Sequence, residues 1–242
     1  MDNWLAATAA IAAYIIGQVA FSSHYFYEAR KLSKKSFAGI SEHGSRFNPL
    51  LRIFIAGDSL AAGVGASRFE NSLAGRIAIA FAKRNHVILT NTAKSGGRMK
   101  DITVPRQKQD IAIIVASSND LYHFTNKKRF EHSAHSALRL CSAAAKKVVL
   151  VGPGDIGGAT AIPIVLKPFY NMQRPKYAAI MRKAALKYQN AAFANPMEFS
   201  MKPYGRTEAV DGFHPNDSGH KFWADIILSA IATNNSPNSK SA

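Results

Sequence analysis

Along the chain, short apolar runs alternate with longer stretches in which apolar positions recur every three to four residues. The runs 52–56, 87–91, 111–116 and 147–151, and more weakly 191–194, read as strands. Each is four to six residues of mainly Val, Ile, Leu and Ala, the length and composition of strands buried on both faces. The stretches 71–84, 130–145, 175–190 and 216–232 carry the helical period. Strands alternating with helices predict an α/β fold: a three-layer α/β/α sandwich around a central, mostly parallel five-stranded sheet. Right-handed crossovers then leave few topologies. No internal repeat is visible.

The N-terminus departs from this pattern. Trp4 to Phe21 is 18 residues without a charge, about 27 Å as a helix. Trp4 at one end and Tyr25, Phe26 and Tyr27 at the other resemble an interfacial aromatic belt. A basic leader and a small-residue cleavage site are both missing, so residues 1–27 read as an apolar helix making membrane contact through residues 4–21. Arg30, Lys31, Lys34 and Lys35 follow this stretch, and no Lys or Arg precedes it. That asymmetry predicts a domain anchored on the cytoplasmic side. Residues 28–50 read as a linker, 51–232 as the folded domain, and 233–242 as a disordered polar tail.

Composition changes this picture little. Over 242 residues, 47% are hydrophobic, enough for a full core. The net charge of +16 favours anionic partners. Its basic clusters (Lys127 to Arg129, Lys146-Lys147, Arg182-Lys183) are scattered and lack an aromatic platform, so no specific nucleic-acid module is expected. The single cysteine, Cys141, excludes an internal disulfide and sits in an apolar helical pattern, which predicts a buried structural thiol.

The candidate chemistry lies in the loops after the strands. The first strand runs into Gly57-Asp58-Ser59-Leu60, a turn that presents a serine hydroxyl where α/β sheets bind ligands; the same residues could simply cap a helix. After the second strand comes Asn91 to Gly97 with Ser95-Gly96, whose glycines let the backbone aim an N–H at a ligand. After the third comes Ser117-Ser118-Asn119-Asp120. Before the last helix stands Asp211-Gly212-Phe213-His214, a base with an acid three residues away to fix its tautomer. Gly63-x-Gly65 lacks the rest of a nucleotide-binding loop. His132 and His135 have no evident third metal ligand, and His220 reads as structural.

In their order and placement these four blocks resemble those of the SGNH (GDSL) hydrolase family, over roughly residues 50–232, and look closest to bacterial acyl-esterase and lysophospholipase-like members. The resemblance implies the family's flavodoxin-like fold and a serine esterase acting on an acyl lipid, a lysophospholipid or an acetyl ester. It places the catalytic serine at Ser59, the acid and base at Asp211 and His214, and the oxyanion hole at Ser59, Gly96 and Asn119. It implies no metal or organic cofactor. The family's third block usually begins with glycine where this chain has Ser117, a side chain expected to narrow the substrate pocket or to shift the loop carrying Asn119. Gly152 to Asp155 opens a loop at the same edge, and Val165 and Leu166, in the apolar stretch Ile162–Tyr170, are expected to form a substrate wall. The competing expectation is a membrane-tethered binding protein on the same scaffold.

Overall fold

The computed structural model describes residues 2–233, so the polar tail expected at 233–242 lies outside the described residues beyond Thr233. The chain opens with α1 (Asp2–Leu32), then β1 (Gly39–His43), β2 (Leu50–Gly57), the single turn α2 (Ser59–Ala62), α3 (Leu73–Ala82) and β3 (His86–Asn91). There follow β4 (Gln109–Val115), α4 (Ser118–Tyr122), α5 (Lys127–Ala144), β5 (Ala145–Val151), α6 (Lys167–Ala185), β6 (Ala191–Ala194) and α7 (Asp217–Thr233).

The six strands form one sheet in the order β1-β3-β2-β4-β5-β6, parallel except for β1. Side chains alternate across it. Ile53 and Ile55 join Val87, Leu89, Ile113 and Val149 under α3 and α7. Phe54 and Ala56 face the other way, with Ala112, Ile114, Val148 and Leu150 under α5 and α6. The period of two thus feeds two cores, one on each face, and the three-layer sandwich follows.

The expected five parallel strands are all present. The sixth, β1, lies within the stretch read as a linker, and α1 extends through residues 28–32. Gly39–His43 has no apolar alternation because it is an exposed edge strand, antiparallel to β3. Side chains hold it: Glu42 meets His86 at 2.5 Å, and the His43 ring stacks on Phe69 at 5.2 Å. Helix α6 also begins eight residues before the expected 175, with Pro168 in its first turn, where the missing N–H costs nothing, and Pro175 inside it.

In sequence β3 follows β2 on one side and β4 on the other, so the order reverses at β2. The registers Ile55↔Asn91 and Gly57↔Val115 bring the carboxyl ends of the three strands level. Their loops therefore open into one crevice at the topological switch point.

Candidate active site

Gly57 is the pivot of the first loop. A Cβ there would lie 2.2 Å from the Val115 carbonyl, so only glycine lets β2 and β4 close at this level. Asp58 is buried, and its Oδ1 accepts from Leu60 N at 3.0 Å, capping α2. Capping and the presentation of Ser59 therefore coincide. Burial pushes the Asp58 carboxyl up to about 7, against the pull of the Leu60 amide and the His214 charge.

The second loop is fastened to the first. Asn91 donates to Ala61 O at 2.8 Å and accepts from Ala93 N at 3.0 Å, and Lys94 N donates to Gly57 O at 2.9 Å. Gly96 takes φ +78°, the left-handed region that suits glycine. Gly97 N is used on Lys94 O, while Ser59 N and Gly96 N find no protein acceptor among the described residues. The third loop completes the arrangement: Asn119 Nδ2 donates one hydrogen to Gly97 O at 3.0 Å, leaving its second.

Asp211 and His214 close the crevice from the C-terminal side. Asp211 is fully buried; its Oδ1 accepts from Phe213 N at 3.1 Å and His214 N at 3.0 Å, and its Oδ2 meets His214 Nδ1 at 2.5 Å. Burial alone would raise this carboxyl, but the His214 ring and those two amides outweigh it and hold it below the usual carboxylate range. An ionised acceptor on Nδ1 makes that nitrogen the donor, so Nε2 is the free, basic position.

Two chambers meet at this pair. The larger, about 820 Å³, is lined by Ser59, Gly96, Asn119 and His214 and walled by Tyr122, Tyr170 and Phe213. The smaller, about 390 Å³, shares Ser59, Phe213 and His214 and is otherwise more polar, with Ser118, Asp155, Arg206 and Thr207. Val165 and Leu166 lie on the wall of the larger chamber, and Gly154 and Asp155 on that of the smaller. Ser117 lies apart from both. It is buried and lines neither chamber, because the burial of β4 continues through Ala116 and Ser117 before α4 begins.

Sequence reasoning missed the part played by α1. Tyr14, Gln18, Tyr25, Phe26 and Ala29 line the larger chamber, and Tyr25 packs on the Gly212 turn between Asp211 and His214. The spacing of Tyr14, Gln18, Tyr25 and Ala29 on one helical face was a signal in the sequence, but an apolar helix hides such a stripe. His220 is structural: its Nε2 faces Val64 O at 3.0 Å, its Nδ1 accepts from Leu73 N at 3.2 Å, and burial lowers it to about 4. Cys141 is buried and pushed up to about 12. No cluster of three or more His, Cys, Asp or Glu side chains suited to a metal occurs among the described residues.

A doubly covered α/β sheet with a serine, a buried Asp–His pair and unspent backbone donors at its switch point is the architecture of a hydrolase. Solved structures share the fold. Axe2, an acetylxylan esterase from Geobacillus stearothermophilus, superposes with a TM-score of 0.59 at 18% identity, covering 77% of this chain and 96% of its own. TesA gives 0.60 at 15% identity, covering 76% and 99%. LAE5, an alpha/beta hydrolase enzyme from the metagenome of Lake Arreo, Spain, gives 0.58 at 17% identity, covering 78% and 99%. Among curated proteins, none matches the chain in sequence. Residues 55–222 match the GDSL-like Lipase/Acylhydrolase family, and the chain belongs to it, as an SGNH-type carboxylic ester hydrolase.

Proposed function

We propose that this hydrolase works through Ser59, His214 and Asp211. Ser59 Oγ adds to the ester carbonyl carbon as His214 Nε2 takes its proton, and Asp211 holds the imidazolium that forms. The tetrahedral oxyanion accepts from Ser59 N–H, Gly96 N–H and the second hydrogen of Asn119 Nδ2. The ester C–O bond then breaks, and His214 returns its proton to the leaving alcohol. A water repeats the sequence on the acyl-enzyme: His214 takes its proton, its oxygen adds to the acyl carbon, and Ser59 leaves reprotonated with release of the acid. The observation that carries this reading is the Asp211–His214 pair at 2.5 Å lining the same chamber as Ser59 and the unspent amides.

Size and apolar walls make the larger chamber the acyl side. An acyl ester, from acetyl to a lipid, is therefore the substrate class, and α1 gives the enzyme membrane contact: an 18-residue stretch within Ala6–Leu32 has a mean hydropathy of 1.4. The basic residues from Arg30 to Lys35 support a catalytic domain on the cytoplasmic side. Replacing Ser59→Ala in the full chain tests the chemistry. Hydrolysis of p-nitrophenyl acetate should fall to the uncatalysed rate with the circular dichroism unchanged, and retained turnover removes Ser59 from the mechanism.

A further inference from the structure

Tyr14, Gln18, Tyr25 and Ala29 fall within an arc of about 60° and follow the larger chamber for about 22 Å of helix, with Ser23 and Phe26 reaching it from further round. Away from the chamber, Ile16 and Tyr27 are exposed. Across the mouth, Ile164 is 64% exposed, Val165 65% and Met172 53%, next to the exposed rings of Phe124 and Phe169, which meet edge to face at 4.9 Å. Single exposed apolar side chains are ordinary, but a ring of them around one opening marks an interaction surface. Its surroundings are cationic. Arg30 and Lys31 stand in the last turn of α1 and Lys34 follows it, while Lys94 and Lys100 flank the Gly96 loop and Lys127 and Lys128 follow Phe124. All are exposed, and none has an acidic partner among the described residues.

We infer that this rim docks on an anionic lipid bilayer and that the substrate is a long-chain acyl ester resident in that bilayer. The inference rests on the hydrolase reading above and deepens it. The acyl chain passes from the lipid between α1 and residues 162–172 into the larger chamber, never crossing water, while the polar alcohol occupies the smaller chamber beyond His214. Helix α1 is thus a wall of the site as well as an anchor. A helix that enters lipid while lining the Ser59 chamber from Tyr14 to Ala29 necessarily brings the mouth of that chamber to the membrane.

The test uses the full chain with vesicles of phosphatidylglycerol and phosphatidylcholine in equal parts. Hydrolysis of p-nitrophenyl palmitate carried in the vesicles is compared with that of p-nitrophenyl acetate in water. Ile164→Ser combined with Met172→Ser, both outside the two chambers, should lower palmitate hydrolysis about tenfold, because two apolar side chains no longer enter the lipid. Acetate hydrolysis should stay within about twofold. Vesicles of phosphatidylcholine alone should slow palmitate hydrolysis for the unaltered chain. Ala29→Trp, which fills the chamber from the α1 side, should raise the acetate-to-palmitate ratio. Unchanged palmitate hydrolysis in the double variant, equal losses on both esters, or indifference to lipid charge overturns the inference. Acetate hydrolysis and fluorophosphonate labelling report on Ser59 separately. If both fail in the unaltered chain, the hydrolase reading itself falls; if both succeed while palmitate is indifferent to the rim, only the membrane inference falls.

Discussion

The bed of the larger chamber and its wall are built on different physics. The bed, made of the Ser59, Gly96, Asn119 and Asp211–His214 loops, is held by short polar bonds to strand ends that are themselves in register. The wall, made of α1 with Ile162, Pro163, Val165, Leu166 and Tyr170, is mainly apolar and is placed by packing. A bed of this kind fixes atoms to within a fraction of an ångström, as charge stabilisation in a transition state requires. A wall of this kind tolerates many side chains and selects by size. Changes in the bed should therefore lower turnover on every ester, whereas changes in the wall should act according to acyl length.

Within the bed, two buried carboxylates show how finely this is set. Asp58 and Asp211 both lie near His214 and both are removed from water, yet Asp58 rises to about 7 while Asp211 is held low. The difference is the imidazole: Asp211 is hydrogen-bonded to the His214 ring, and Asp58 feels that ring only as a charge beside its cap. The largest expected effect follows from this contrast. Asp211→Asn should cut kcat by about 10⁴, because the amide cannot hold the working tautomer or stabilise the imidazolium. A loss of less than tenfold would remove Asp211 from the proton relay.

Next comes Asn119→Ala, expected to lower kcat by about 10²–10³ with KM nearly constant, since one oxyanion donor acts mainly in the transition state. A risen KM with unchanged kcat would move Asn119 from the bed to substrate binding. For the wall, Val165→Ser with Leu166→Ser should reduce kcat/KM about tenfold on palmitoyl esters and little on acetyl esters. Equal losses on both would erase the distinction between bed and wall.

Asp58→Asn should have the smallest effect on rate, a loss of less than about tenfold, but it should alter stability. The carboxyl ionises near 3.8 in the unfolded chain and near 7 in the folded one, so between these values the folded state holds the extra proton. Stability from this group is complete below about pH 4 and lost as pH rises through 7. Asn keeps the cap and cannot ionise, so urea unfolding should find the variant equal to the native chain at pH 4 and more stable by ~4 kcal/mol at pH 8. His220 works oppositely: lowered from 6.5 to about 4, it withdraws stability as pH falls through that range, equally in both proteins, and cancels from the comparison.

The same division explains what could be read before the structure. The bed is specified by residue types that few other contexts demand together: a serine after a glycine-ended strand, an unpaired-looking asparagine after another, an acid three residues before a histidine. Strand ends were legible because apolar runs stop at glycine, asparagine or serine. Strand β1 was not, since Gly39–His43 owes its conformation to β3, Glu42 and Phe69 and carries no alternation of its own. The wall was half legible. Val165 and Leu166 stood out as apolar residues in a loop, but α1 reaches the chamber through tertiary placement, and its stripe of Tyr14, Gln18, Tyr25 and Ala29 is masked by the apolar residues around it. Ser117 shows the converse: its motif position implied the pocket, while the run of β4 carries it into the core.

The central claim is that Ser59 is a nucleophile activated by the Asp211–His214 pair. Intact-mass analysis after brief exposure to a fluorophosphonate, followed by peptide mapping, tests it most directly. One adduct should form per chain on Ser59, fast at pH 8, slowed by orders of magnitude in Asp211→Asn and absent in Ser59→Ala. An adduct that persists in Ser59→Ala, or a native chain that takes up none, would contradict the claim.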